Sequence, residues 1–566
     1  MDDGATAAGE ALGPEAGLIP LLDPVGFGES LASVGRGLAR NPADALQALT
    51  RYTKDLVAAS AVVAARSLGA DCEGPAEHGP RDRRFADPAW EQNPVYYWLR
   101  EGYLLFDRLT QDLVAAAGLE EPVAGKAAFA SQTVVDALAP TNTFLGNPAA
   151  VKKAFETAGG SVFRGLRTFL ADVAGNDGMP RQVDSTAFTV GQDLASTPGK
   201  VVLRNGLMEL IQYAPQTETV FEIPLLCSPP WINKYYVMDL APRRSFIEWA
   251  VQHGHTVFAI SYRNPDESMR EVTFDDYMLE GPRAALLAIE EITGAPQANI
   301  VGLCLGGTIT TMLLAYLEQI GDRRVRSATL LNTLVDFSEP GILGVFTDEK
   351  TIARVERKME KHGYLGASEM SRTFTLLRAN DLVWNYAVNN WLLGEDPPPF
   401  DILAWNDDST RMPAAMHSFY LRSCYVRNEF AQGKLELADE KLSPKAITAD
   451  VYVLSAREDH IAPWRAGYAT TRALPKGAVR FVLSSSGHIA GIVNPPSPKS
   501  SYWTNDKLGP DPERWLSGAT RHQGSWWEDW SLWIEERAGA RRQPPPMGTD
   551  VYAPIADAPG TYVLEK

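Results

Sequence analysis

Residues 298–317 read Ala-Asn-Ile-Val-Gly-Leu-Cys-Leu-Gly-Gly-Thr-Ile-Thr-Thr-Met-Leu-Leu-Ala-Tyr-Leu. Asn299 to Leu303 has the apolar character of a short buried strand, and Thr308 onward that of an apolar helix. Cys304 stands on the turn between them, framed as Gly302-x-Cys304-x-Gly306-Gly307. A strand that breaks this sharply into a helix strains its central residue and lifts that side chain clear of the sheet. The residues two before and two after must be small for strand and helix to pass so closely. The start of the helix carries partial positive charge and favours an anion at that position. The plainer alternative is a buried structural cysteine, since unpaired Cys is among the most buried residue types. The flanking strand and helix favour a nucleophile presented on an elbow.

Working outward, strand-like runs occur at 201–204, 208–213, 220–226, 256–261 and 327–331, and again at 451–455 and 479–484. Helical stretches at 243–253, 275–293 and 308–319 lie between several of them. Alternating strands and helices with near-continuous apolar strands predict a parallel sheet covered on both faces. The first two runs lack an intervening helix and predict an antiparallel edge. The expected fold class is therefore α/β, with the nucleophile elbow pointing to an α/β-hydrolase fold over 186–566. The alternation stops at about 336–448, an aromatic-rich stretch read as a cap inserted over the active site.

Upstream the pattern is helical. Asn41-Pro42, Asn93-Pro94 and Asn147-Pro148 each open a long helical run, Asn as cap and Pro at the first helical position. Residues 25–185 are expected to form an all-helical N-terminal domain, and residues 1–24, rich in Gly, Ala, Pro and acids, to be disordered. Asn176 to Lys200 is polar and reads as a linker.

A cysteine nucleophile needs a base, and the base needs an orienting group. In this fold the order is nucleophile, acid, histidine, each on a loop after a strand. His488 follows the strand around Phe481 to Leu483, and Asp459 follows the one around Tyr452 to Leu454. His460 is a rival base and Asp336 a rival acid. The oxyanion hole requires two backbone N–H groups. Leu305, next after the nucleophile, supplies one. The other is expected from the loop Ser228-Pro-Pro-Trp-Ile-Asn-Lys-Tyr-Tyr, whose prolines have no N–H, which leaves Trp231 or Ile232.

The net charge of −17 argues against a nucleic-acid partner. It also means that an anionic substrate such as a coenzyme A thioester needs a local cation, for which Arg378 is a candidate, a surface or core ion pair being the equal alternative for that residue. Four scattered cysteines without a CxxC pair suggest a reducing compartment, and neither a signal peptide nor a membrane span is read. No metal or other cofactor is expected. Trp526, Trp530 and Trp533 share one helical face, read first as packing.

With these pieces placed, the sequence resembles the class I poly(3-hydroxyalkanoate) synthases. The resemblance is carried by Pro229-Pro-Trp-Ile-Asn-Lys-Tyr-Tyr, Gly302-Leu-Cys-Leu-Gly-Gly-Thr, Asn380-Asp-Leu-Val-Trp-Asn-Tyr, Arg457-Glu-Asp-His-Ile-Ala-Pro-Trp and Ser486-Gly-His-Ile-Ala-Gly-Ile-Val-Asn-Pro-Pro. It implies that Cys304, Asp459 and His488 are the catalytic set. It implies polymerisation of (R)-3-hydroxyacyl-coenzyme A, with short-chain units such as 3-hydroxybutyryl expected, and coenzyme A released. It further implies a homodimer in the cytoplasm, at the surface of the storage granule that holds the growing polyester. The competing expectations are a Cys-dependent thioesterase or esterase, and a non-catalytic granule scaffold.

Overall fold

The computed structural model describes residues 27–76 and 82–566, so the expectation for residues 1–24 lies outside the described residues. The chain divides into two compact units. One comprises the residues up to 184 together with 373–398, the other 185–372 with 399–566. The aromatic-rich stretch 336–448 is thus shared between them.

The first unit is helical: α1 (Phe27–Arg40), α2 (Pro42–Ser67), α3 (Pro94–Ala116), α4 (Val123–Ala137), α5 (Pro148–Glu156) and α6 (Gly160–Gly175). Three of these begin at the proline of an Asn-Pro pair. Asn93 and Asn147 cap as expected, each side chain accepting from the two N–H groups after the proline. Asn41 does not; its side chain donates instead to the Ala116 carbonyl at 3.2 Å. Ala59, Ala76 and Leu105 form one buried cluster and Tyr103, Val135 and Ala139 another. In the segment 373–398, Trp391 Nε1 donates at 2.9 Å to the buried carboxylate of Asp172, which also accepts from Arg181 at 2.8 Å.

The second unit is built on one eleven-stranded sheet. Its strands are β1 (Gly199–Arg204), β2 (Met208–Tyr213), β3 (Leu225–Ser228), β4 (Val257–Tyr262), β5 (Ala298–Leu303), β6 (Val325–Leu331), β7 (Asp450–Ala456), β8 (Val479–Ser484), β9 (Ser501–Thr504), β10 (Thr520–Gln523) and β11 (Ala556–Asp557). The spatial order is β10-β9-β8-β7-β6-β5-β3-β4-β2-β1-β11. The six strands from β8 to β4 are parallel, and both margins are antiparallel. β3, β4 and β5 are buried along their whole length, as a sheet covered on both faces requires. The run expected as one strand over 220–226 is split. Val220–Phe221 pairs with Arg541–Arg542, and only Leu225–Ser228 joins the main sheet.

Helices α7 (Phe246–Gln252), α8 (Ala284–Thr293), α9 (Leu305–Gln319), α10 (Trp464–Ala473) and α11 (Trp526–Glu535) belong to this unit. α11 opens on a Ser525–Glu528 capping box and buries Trp526, Trp527, Trp530 and Trp533. Burying large apolar side chains stabilises by roughly 1.5–3 kcal/mol each, so packing accounts for the tryptophan face. Among the described residues no helix is long and apolar enough to cross a membrane.

Candidate active site

The elbow forms where the sequence places it. β5 ends at Leu303, α9 starts at Leu305, and Cys304 between them has φ 51°, ψ −116°. A non-glycine residue held there stores roughly 1–3 kcal/mol of strain, which the surroundings must offset. They do so with hydrogen bonds. The Cys304 N–H donates to the Leu331 carbonyl at 2.8 Å, and its carbonyl accepts from Gly307 at 2.9 Å and Thr308 at 3.0 Å. The Thr333 hydroxyl adds a fourth at 3.3 Å. The two framing glycines are required by contact. A Cβ on Gly302 would lie 2.5 Å from the Gly307 Cα, and one on Gly306 would lie 2.0 Å from the Ser228 carbonyl oxygen. The second contact means that the backbone leaving β3 runs directly over the elbow.

Asp459 and His488 sit on the loops after β7 and β8, at the same edge of the sheet. His488 Nδ1 and Asp459 Oδ2 are 2.6 Å apart, and both side chains are buried. The other Asp459 oxygen accepts from the N–H groups of Ile461 at 2.8 Å and Ala462 at 2.9 Å, which locks the carboxylate. The two loops are tied by Glu458 N–H to the Ser486 carbonyl at 2.9 Å. The Cys304 thiol is close enough to the His488 ring to act on its protonation. Burial disfavours charge on this imidazole, but Asp459 and Cys304 outweigh it and raise its pKa to about 10. Cys304 is more exposed than either partner.

The rivals are placed elsewhere. Asp336 accepts from the Asn428 side chain at 2.7 Å and from Ser338 N–H at 2.9 Å, and is not bonded to His488. Those bonds and Arg472 hold its carboxyl below the usual range against the opposing effect of burial. His460 is not the ring that meets Asp459. Of the expected oxyanion donors, the N–H groups of Leu305, Trp231 and Ile232 have no protein acceptor among the described residues. Arg378 falls in the first unit, where it is exposed and paired with Asp381 on its own helical turn.

The sequence does not show the roles of five further side chains. Asn332, at the end of β6 with φ 45°, donates from its side chain to the His488 carbonyl at 2.5 Å. Trp526 and Trp527 donate to the carbonyls of Gly491 at 2.8 Å and Ile492 at 2.9 Å, just beyond the histidine. Tyr420 and Tyr425 stand on a π-helical turn (Tyr420–Val426), rings 5.4 Å apart at 86°, and both hydroxyls are close enough to feel the charge of Cys304. Polar residues at the carboxyl ends of parallel strands were the available signal for Asn332. For the tyrosines, a spacing of five is invisible to a search at three and four, because a π-turn brings i and i+5 together.

A model of the poly-beta-hydroxybutyrate polymerase (PhaC) N-terminus matches residues 81–250, and one of the alpha/beta hydrolase fold matches residues 226–495. A poly(3-hydroxyalkanoate) polymerase of Methylorubrum extorquens is 43% identical over 95% of this chain and 89% of its own length. The poly(3-hydroxyalkanoate) polymerase subunit PhaC of Rhizobium meliloti (strain 1021) is 41% identical over 96% of this chain and 89% of its own. The subunit of that name from Cupriavidus necator is 42% identical over 91% and 87%. On that similarity, spanning both the helical segment and the sheet that carries Cys304, the chain belongs to the poly(3-hydroxyalkanoate) polymerase family, an enzyme family on the α/β-hydrolase fold.

Proposed function

We propose that this enzyme polymerises (R)-3-hydroxyacyl-coenzyme A into polyester through an acyl group carried on Cys304, with His488 as proton carrier and Asp459 as its orienting partner. The observation that supports the proposal is the buried Asp459–His488 pair, 2.6 Å apart, with the Cys304 thiol close enough to help raise the pKa of the imidazole. A thiolate attacking a thioester moves the acyl group from sulfur to sulfur at small energetic cost. The tetrahedral oxyanion lies against the N–H groups of Leu305 and Ile232, and donors placed in this way lower the barrier by about 3–4 kcal/mol each. Coenzyme A leaves as a thiol, taking the proton from the His488 imidazolium.

Acylation removes the thiolate charge that helps hold that proton, so the imidazole becomes a better base at the moment a base is needed. It then accepts the proton of a 3-hydroxyl; the alkoxide attacks the acyl-cysteine, an ester bond forms, and the Cys304 thiolate is regenerated. Because the acceptor is an alcohol, water must be kept out. The part of the expected cap that lies in the second unit, with Tyr420 and Tyr425 beside the thiol, is assigned that task. Phe337 packs on both tyrosines, at 6.2 and 5.0 Å between ring centroids, and this crowding supports short acyl units such as 3-hydroxybutyryl. A homodimer working in the cytoplasm at the granule surface accompanies this reading.

The test is the product formed from 3-hydroxybutyryl-coenzyme A. The proposal expects polymer with stoichiometric release of coenzyme A, both abolished in Cys304→Ala. Free 3-hydroxy acid as the sole product would make the protein a thioesterase, and coenzyme A release surviving in Cys304→Ala would remove the nucleophile.

A further inference from the structure

The loop 229–236, which carries Ile232, is held by two other parts of the second unit. From one side, Thr410 donates its hydroxyl to the Trp231 carbonyl at 2.7 Å and its N–H to the Ile232 carbonyl at 3.4 Å. Trp405 Nε1 donates to the Lys234 carbonyl at 2.7 Å. From the other side comes a strap formed by residues 555–566. β11 pairs the strap to β1. Glu209 on β2, fully buried, then accepts from Thr561 N–H and hydroxyl, both at 2.9 Å, and from Tyr562 N–H at 3.1 Å, with Arg204 as counter-ion at 2.8 Å. The Tyr562 hydroxyl donates to the Asn205 carbonyl at 2.7 Å. Beyond this anchor the strap meets the loop at one bond, Lys234 Nζ to the Glu565 carbonyl at 2.5 Å.

Lys234 is an expensive way to make that bond. It is 2% exposed, and among the described residues its ammonium has no carboxylate at ion-pair distance. Burial accordingly lowers its pKa, with Asp408 opposing. A buried cation satisfied by one carbonyl contributes little to folding, and an apolar side chain of the same length would serve stability at least as well. Its bond does join a rigid, carboxylate-anchored strap to the loop whose N–H positions matter to a few tenths of an ångström.

We infer that Lys234 is a positioning residue, through which the strap 555–566 fixes loop 229–236 so that the Ile232 N–H stays aimed at the carbonyl oxygen of an acyl group on Cys304. This rests on the oxyanion role given to that loop above.

Lys234→Met keeps the buried stem and removes the bond. Measured on the full-length enzyme with 3-hydroxybutyryl-coenzyme A, kcat should fall by about tenfold to a hundredfold, as for a displaced rather than deleted donor, with KM within about threefold. Iodoacetamide should alkylate Cys304 at the wild-type rate, because the thiol and His488 are untouched, and Tm should be unchanged or higher. Lys234→Arg should recover part of kcat. Thr561→Val, at a solvent-exposed residue, removes the hydroxyl bond to Glu209 while keeping the N–H bond, loosens the strap at its anchor and should lower kcat by about twofold to fivefold in the same pattern. It decides the matter if Lys234→Met does not fold. Wild-type kcat in either folded variant overturns the inference, and so does a fall in kcat matched by an equal fall in alkylation rate. If wild-type enzyme acquires no acyl group in a single turnover, the proposed function fails first; if it does and the variants match it, only the positioning role falls.

Discussion

Asp459→Asn isolates what the carboxylate does for the imidazole. The substitution preserves shape, and its Oδ1 can still accept from Ile461 and Ala462, so the loop is retained. Opposite His488 Nδ1, at 2.6 Å, the carboxylate oxygen becomes an amide. An amide NH2 there demands an unprotonated Nδ1, which turns the tautomer around and puts the remaining ring proton on the side of Cys304. The cost can be bounded from the structure. An imidazole raised from 6.5 to about 10 is favoured as imidazolium by about 5 kcal/mol. Asp459 and Cys304 both supply charge and a hydrogen bond against the opposing effect of burial, and Asp459 acts more strongly. Losing the stronger of the two partners is expected to cost about a hundredfold in rate, and the reversed tautomer extends the loss toward ten-thousandfold. The assay is coenzyme A release under single-turnover conditions, with Cys304 alkylation followed in parallel across pH. Coenzyme A release within tenfold of wild type, with an unaltered alkylation profile, would refute the reasoning. The imidazole would then not depend on its carboxylate.

Three further outcomes follow from the same geometry. Gly306→Ala drives a Cβ to within 2.0 Å of the Ser228 carbonyl oxygen, so either the elbow or the loop beyond β3 must shift. It should cost about 3 kcal/mol or more of stability by denaturant titration and abolish turnover, and a stable, active variant would mean the close approach is wrong. Capping the Cys304 thiol with iodoacetamide removes one of the two charges holding the His488 proton, so the ring's pKa, followed by NMR, should drop below about 10; an unchanged value would separate the two groups. The same raised pKa makes stability depend on pH. The folded state keeps a proton that the unfolded chain releases, so this contribution is full below about pH 6.5 and disappears as pH rises through about 10. Urea midpoints of wild type should therefore fall more steeply across that window than those of His488→Gln, and parallel slopes would count against the shift.

The elbow was legible in the sequence because it is a local event. Gly302, Cys304 and Gly306 lie within five residues, and the contacts that force the glycines follow from the strand-to-helix reversal itself. The pairing of Asp459 with His488 was legible because order along a doubly covered sheet restricts such partners to loops after β7 and β8. What stayed hidden depends on non-local pairing. Val220–Phe221 has strand chemistry but pairs with Arg541–Arg542, more than three hundred residues away, and no periodicity announces that. Asn332 looks like any polar residue ending a strand until the His488 carbonyl is brought over it. Tyr420 and Tyr425 required the π-turn. The grouping of 373–398 with the helical residues up to 184 rests on contacts such as Trp391 to Asp172, across more than two hundred residues. The tryptophan run packs as its helical spacing suggests, but the indole N–H groups of Trp526 and Trp527 also hold the loop that carries His488.

The most direct test is to mix the enzyme with a single equivalent of 3-hydroxybutyryl-coenzyme A, quench in acid within milliseconds and map the adduct by peptide mass. A gain of one 3-hydroxybutyryl unit on the peptide containing Cys304, absent in Cys304→Ala and formed slowly in His488→Gln, is the predicted result. Turnover to polymer with no acyl group ever found on that peptide, or with the group found on another side chain, would contradict the account.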